Sequence, residues 1–411
     1  MIYQLFETQK WMDQNLRITN RYIDDIVGLL GGNNLSTQHL CALREVSKRL
    51  GVIDHKPKFN IKTIDIIHAD KDKRSYLVHQ KVILRSPFCK LIEFEKNELS
   101  EKQNFPNVLL VAPLSGHYAT LLRDTVLRFL PDHNVFITDW ENIRDVSASE
   151  GEFNFDSYTD LLIQYIEHFK GDIHLVAVCQ PVVPVLTAVS FLAQNDSACQ
   201  PKSMTLMGGP VDASVNPGEV NKFALRMPME WFERNMITTV PDSYKGRYRR
   251  VCPGFLMLNG FLSMNYKRHF ESVINLYQNV LDKNIQSIKS FDKFYDEYRA
   301  VMDLSAPYYL QSVEKVFKNF DLPKGQFKYN GEKIKPAAIK KTSLLMVEGS
   351  RDDISPLGQT YAAKHICSSI PRSNVHHYIQ EDAGHYGIFS GTKFREQIYP
   401  VIQSFILSSE T

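Results

Sequence analysis

Paired cysteines are missing from this chain of 411 residues. Its six cysteines stand scattered at 41, 89, 179, 199, 252 and 367 without Cys-x-x-Cys spacing, which predicts reduced thiols and no disulfide framework. No His-Glu-x-x-His occurs either, so no metal site is expected, and the His376-His377 pair reads as a plain strand element. Phosphate-loop and dinucleotide fingerprints are absent, and no bound cofactor is expected. Strong charge of one sign is lacking: 48 Lys and Arg against 46 Asp and Glu leave a formal +2, which argues against nucleic acid or an acidic membrane as partner. Arg247-Tyr248-Arg249-Arg250 reads as solvated surface. Residues 1–20 break their apolar positions with Gln, Glu, Lys and Asp, leaving no secretory core of ~7 to 15 residues, so the expected location is the cytoplasm. The stretch 176–193 holds Gln180 and two prolines, and a strand followed by a helix explains it better than a membrane span. Gly-x-Ser-x-Gly is also missing, so no serine competes on motif grounds as a nucleophile.

What is present starts at Cys179. It ends the apolar run 173–178 within Ala177-Val178-Cys179-Gln180-Pro181, and a second apolar stretch, 182–192, follows. Strand, sharp turn and buried helix are the expected order, the layout that lifts a nucleophile above a sheet. Pro181 fits a first helical turn, where its missing amide would have no partner anyway. The amide of Gln180 is left to hold an oxyanion, and a helix start favours a thiolate. Far downstream, the apolar run 343–347 breaks at Glu348-Gly349-Ser350-Arg351-Asp352-Asp353, and residues 375–380 lead into Glu381-Asp382-Ala383-Gly384-His385. Cysteine, aspartate and histidine thus follow one another at strand ends, the chain order of α/β-hydrolase triads. Asp353 stands as the alternative acid. The strand and small-residue loop Val108 through His117 are expected to supply the second oxyanion donor from Leu114 or Ser115. His117 is a candidate for substrate contact, against a local structural role.

Together these segments, with Val111 through Tyr118, Asp139-Trp140-Glu141-Asn142 and Met302-Asp303-Leu304, resemble the intracellular poly(3-hydroxybutyrate) depolymerases of bacteria. The resemblance runs along nearly the whole chain, including the opening Met1-Ile2-Tyr3-Gln4-Leu5. It implies a cysteine-type α/β-hydrolase that degrades amorphous polymer at storage granules, with nucleophile Cys179, acid Asp352 and base His385. The related synthases usually carry glycine two positions after the cysteine, where this chain has Pro181. A synthase-like acyltransferase and a non-catalytic granule-surface protein remain the two alternatives. Coenzyme A is a candidate acyl acceptor in place of water, and a homo-oligomer stays open.

The expected fold is an α/β-hydrolase: a mainly parallel sheet, helices on both faces and a mostly helical cap. Residues 1–50 read as helical, with Tyr22, Ile23, Ile26, Val27 and Leu30 forming one apolar stripe that packs on the core or adsorbs to polymer. Strands over 59–66 and 75–84 flank a polar turn at 70–73, and parallel strands follow near 108–113, 135–139, 173–178, 203–208, 342–347 and 375–380. The expected division is a core over 51–216 and 336–411, with a cap over 217–335. Within 217–330, 20 of 114 residues are aromatic, against 26 of the other 297, which suits an apolar groove. Trp231, Phe232, Tyr308 and Tyr309 are its candidate lining residues.

Overall fold

The computed structural model describes residues 2–29, 35–51, 53–67, 72–97, 105–264 and 266–410. Among them one large sheet holds nine strands: β1 (Thr63–Ile67), β2 (Lys73–Arg85), β3 (Cys89–Lys96), β4 (Asn107–Val111), β5 (Asn134–Trp140), β6 (His174–Val178), β7 (Ser203–Met207), β8 (Ser343–Gly349) and β9 (Val375–Gln380). Their order across the sheet is β1-β2-β3-β5-β4-β6-β7-β8-β9. The first four positions pair antiparallel, and every pair from β5 onward is parallel. All residues of β6, β7 and β8 are buried. Burial at successive positions, rather than alternate ones, means that both faces are covered.

Helices provide that cover. In chain order they are α1 (Ile2–Leu29), α2 (Leu35–Leu50), α3 (Arg123–Phe129), α4 (Phe155–His168) and α5 (Val182–Gln194). α4 packs against α5. α3 meets the closing helix Tyr399–Ser408, where Phe129 and Tyr399 stack edge-on at 4.9 Å. α5 is apolar all round and almost wholly buried, so it is a core helix and not an amphipathic surface one.

Three features depart from the sequence expectation. β3 was not anticipated: Cys-Lys-Leu-Ile-Glu-Phe-Glu-Lys reads as charged, yet Cys89, Leu91, Ile92 and Phe94 are buried while the charges flank them. The antiparallel start has its strands at 63–67 and 73–85, with residues 70 and 71 of the expected turn outside the described residues. The apolar stripe of α1 is partly outside them too: Leu30 is not described, nor are the side chains of Ile23, Ile26 and Val27, and Tyr22 is exposed. What docks α1 is its first turns. Tyr3 donates to Asp303, Phe6 stacks on Phe255 at 4.7 Å, and Tyr244 donates to Glu7.

Between β7 and β8 the chain leaves the sheet and forms α6 (Glu219–Arg226), α7 (Met229–Met236), α8 (Gly254–Met264), α9 (Tyr266–Leu281), α10 (Ile285–Tyr298) and α11 (Ala306–Ser312). A small ribbon of Thr238–Thr239, Arg250–Cys252 and Leu304–Ser305 joins them. Met302 donates to the Gly116 carbonyl at 2.7 Å, and Asp303 donates its backbone N–H to the Asn142 side chain at 3.1 Å. These bonds place the insertion on the loops that follow β4 and β5.

Asp303 is buried and joins three segments: Oδ1 accepts from the Gly254 amide at 2.9 Å while Oδ2 accepts from Tyr3. Tyr3→Phe removes that second donor without changing shape. We expect a loss of about 1–3 kcal/mol in unfolding free energy, read from urea titration.

Candidate active site

β6 ends at Val178, and α5 begins only four residues later. The chain turns that corner through Cys179, whose φ of +68° is left-handed, a region that a side chain with Cβ enters at a cost of about 1–3 kcal/mol. Neighbours hold it there: the Cys179 amide donates to the Met207 carbonyl at 2.7 Å, and its carbonyl accepts from Val182 at 3.3 Å. Pro181 stands one position earlier than expected, as the cap before α5, with a φ of −58° that its ring already favours. Close approach is allowed by Gly209. A Cβ there would lie 2.3 Å from the Cys179 carbonyl oxygen and 2.4 Å from a Val182 methyl.

The candidate acid and base stand beside that corner. Asp352 follows β8 and is buried; Oδ1 accepts from the amides of Ile354 (2.9 Å) and Ser355 (2.8 Å). Its Oδ2 accepts from Nδ1 of His385 at 2.8 Å. His385 lies on the turn after β9 and is 5% exposed. With Nδ1 engaged, Nε2 is the nitrogen left for Cys179, which acts on the imidazole both through charge and as a hydrogen-bonding partner. Burial opposes a charged imidazole, but Asp352 and Cys179 together outweigh it and raise the His385 pKa well above its ordinary value. Asp353, the alternative acid, is exposed, and its neighbour Asp352 makes the bond to His385. Glu348 is committed elsewhere, accepting from the amides of Gly358, Thr360 and Tyr361 and pairing with His377 at 3.0 Å.

Leu114 brings its amide to the same place, where it donates to Gln180 Oε1 at 3.4 Å. The side chain following Cys179 thus occupies the amide named as a candidate oxyanion donor. Ser115 lines the cavity beside it. That cavity has a volume of about 520 Å³ and is bounded by Cys179 and His385 on the core side. From the insertion it takes Phe232, Met257, Tyr308, Tyr309 and Phe317. Trp231 is not part of the lining; it stacks on Phe223 (5.3 Å) and Phe232 (5.4 Å) and so packs within the insertion. His117 does line the cavity but is 2% exposed, with Nε2 3.0 Å from the Tyr298 carbonyl oxygen. Burial pushes its pKa down to about 4, against the pull of that carbonyl. Among the described residues, no three His, Cys, Asp or Glu side chains gather as a metal would require.

The signal that the sequence reading passed over is Gly208-Gly209. Read as a strand end, the pair is also what lets β7 approach the corner and the acid: a Cβ on Gly208 would lie 2.3 Å from Ile388 and 3.1 Å from Asp352 Oδ2.

Strand order, a left-handed cysteine between strand and core helix, an acid after β8 and a histidine after β9 together define an α/β-hydrolase. Residues 208–410 match the family described as PHB de-polymerase C-terminus. That match spans just under half of the chain's length and makes the chain a carboxylic ester hydrolase. A comparison with curated proteins returns no match. Similar solved structures include a thermophilic esterase from Thermogutta terrifontis (15% identity, 85% of this chain, 99% of that one, TM-score 0.42). A putative lipase from Acinetobacter baumannii shows 14% identity over 81% of this chain and 92% of its own, with a TM-score of 0.42. A putative non-heme bromoperoxidase from Mycobacterium tuberculosis shows 14% identity over 81% and 99%, with a TM-score of 0.44.

Two outcomes follow. Gly209→Ala puts a methyl against backbone that cannot yield, so the variant should lose ester hydrolysis or fail to fold, checked by circular dichroism alongside an ester assay. His117 and His133, each held near pKa 4 by burial, bind protons more readily unfolded than folded between about pH 4 and 6.5. Their contribution is present above the unfolded pKa and is lost as pH falls. The raised His385 contributes no loss in that window, because a raised group loses its contribution only as pH climbs through its folded value. Unfolding free energy should therefore drop between pH 6.5 and 4, as urea titration at several pH values would show.

Proposed function

We propose that this enzyme cleaves ester bonds of amorphous poly(3-hydroxybutyrate) through an acyl thioester on Cys179. The observation that carries the reading is the single imidazole of His385 held between the Asp352 carboxylate at 2.8 Å and the Cys179 side chain. His385 takes the thiol proton; Asp352 fixes the tautomer and stabilises the imidazolium. Sulfur attacks the ester carbonyl carbon, and the carbonyl oxygen takes the charge within reach of the Gln180 and Leu114 amides. For this the Gln180 side chain must swing off Leu114. The carbon–oxygen bond then breaks, the alkoxide of the leaving chain takes the proton from His385, and the thioester remains. Water, deprotonated by His385, attacks the thioester and releases a carboxylic acid and the thiol. The family match supports the polymer as substrate, and a cavity with a largely apolar lining supports a weakly polar chain. The enzyme works, in this reading, inside the cell at the surface of polymer granules.

Cys179→Ala is the test, on amorphous granules with and without coenzyme A. Polymer turnover should fall by about a thousandfold or more while granule binding persists. Free hydroxyacid in both wild-type reactions supports hydrolysis, and an acyl-coenzyme A product would replace water with a thiol as acceptor. Unchanged turnover in the variant would remove the cysteine from the mechanism.

A further inference from the structure

We infer that the hydroxyl of Tyr386 donates to a carbonyl on the leaving half of the substrate, so that the enzyme favours esters whose alcohol part is itself a hydroxyacyl chain. The inference rests on the polyester reading above. Tyr386 follows His385 on the turn after β9 and lines the same cavity as Cys179. Aromatic rings hold it in place: His385 stands edge-on at 5.8 Å, Phe389 lies at 5.6 Å and Tyr298 at 5.6 Å. Its backbone carbonyl accepts from the Ser390 hydroxyl at 2.8 Å, which ties the turn.

The phenol oxygen is not engaged in this way. It makes no hydrogen bond among the described residues, yet it is not sealed from solvent, and the residue is only half-buried. Tyrosines set deeper in the core are matched: Tyr158 donates to the Ala112 carbonyl and Tyr165 to the Cys89 carbonyl, each at 3.4 Å, and Tyr399 donates to Asp132 at 2.6 Å. A tyrosine packed against apolar neighbours ordinarily finds a partner for its hydroxyl. Phenylalanine would fill the same space, so an open donor on the wall of a substrate cavity points to an acceptor that arrives with the substrate. Burial, with Tyr298 and Cys179 nearby, raises the pKa of the phenol well above its ordinary value and keeps the proton available for donation.

Which half of the substrate it meets follows from the mechanism. His385 returns its proton to the oxygen of the leaving chain, so that oxygen comes within a hydrogen bond of the imidazole, and the chain beyond it runs past the groups beside that ring. In a poly(3-hydroxyalkanoate) the next carbonyl stands a few bonds further along and is a strong acceptor. The acyl half is held instead by Cys179 and the amides near it. A p-nitrophenyl leaving group has no carbonyl to offer.

Tyr386→Phe keeps the ring and removes the donor. It should lower kcat/KM for a 3-hydroxybutyrate trimer about fivefold further than for p-nitrophenyl butyrate. The p-nitrophenyl ester of the 3-hydroxybutyrate dimer, read by release of p-nitrophenol, carries its extra carbonyl on the acyl half and should follow the monoester. Equal losses on all three esters, as mere packing against His385 would give, no loss on any of them, or a loss that the dimer ester shares with the trimer would each overturn the assignment. Wild-type enzyme that splits p-nitrophenyl butyrate but not the trimer would instead sink the polyester reading itself, and that result is obtained before any substitution is made.

Discussion

The left-handed backbone at Cys179 is the constraint from which the site follows. A parallel strand buried on both faces has to hand the chain to a buried helix within four residues, and no ordinary conformation does so. The strain is held by the bond to Met207 from the neighbouring strand and by the absence of a side chain at Gly209. Because the corner lifts the thiol to the carboxyl edge of the sheet, loops following β8 and β9 reach it from the same side. Asp352 and His385 then meet at 2.8 Å although 33 positions separate them.

A second set of contacts fixes what covers that edge. Asn142, following β5, accepts from the Asp303 amide and donates to the Tyr118 hydroxyl at 3.2 Å. Asp303 in turn holds Gly254 at the start of α8 and Tyr3 in α1. Arg144 adds an ion pair with Asp54, and the charge of Asp303 helps keep it a cation despite its burial. One buried carboxylate thus ties the N-terminal helix and the insertion to the core. The cavity between them inherits its shape from these bonds, and its apolar lining from the aromatic content of the insertion.

Inside the cavity the polar groups are few and differ in availability. His117 faces it but is spent on the Tyr298 carbonyl and held neutral by burial. The Leu114 amide is occupied by a side chain that can rotate away.

Much of this was legible in the chain itself. Mainly apolar runs announced β4, β6 and β8, because strands covered on both faces need no alternation. The order of Cys179, Asp352 and His385 was readable as well: Cys179 ends an apolar run, and Asp352 and His385 stand within five residues of the ends of two later strand segments. β3 was hidden, since its buried positions are interleaved with charges that read as surface. Asp352 was not separable from Asp353 by sequence, because adjacent carboxylates on a loop differ only in which one the fold turns inward. Trp231 and Phe232 were likewise equivalent as neighbouring aromatics; both pack on Phe223, and only the second reaches the cavity. Gly208-Gly209 showed no reason to be glycine until Val182 and Ile388 were seen beside them. Local order along the chain determined the elements and the residue types of the site. Which atoms face one another was decided by contacts between segments up to 300 positions apart, as with Tyr3 and Asp303, and these no local pattern encodes.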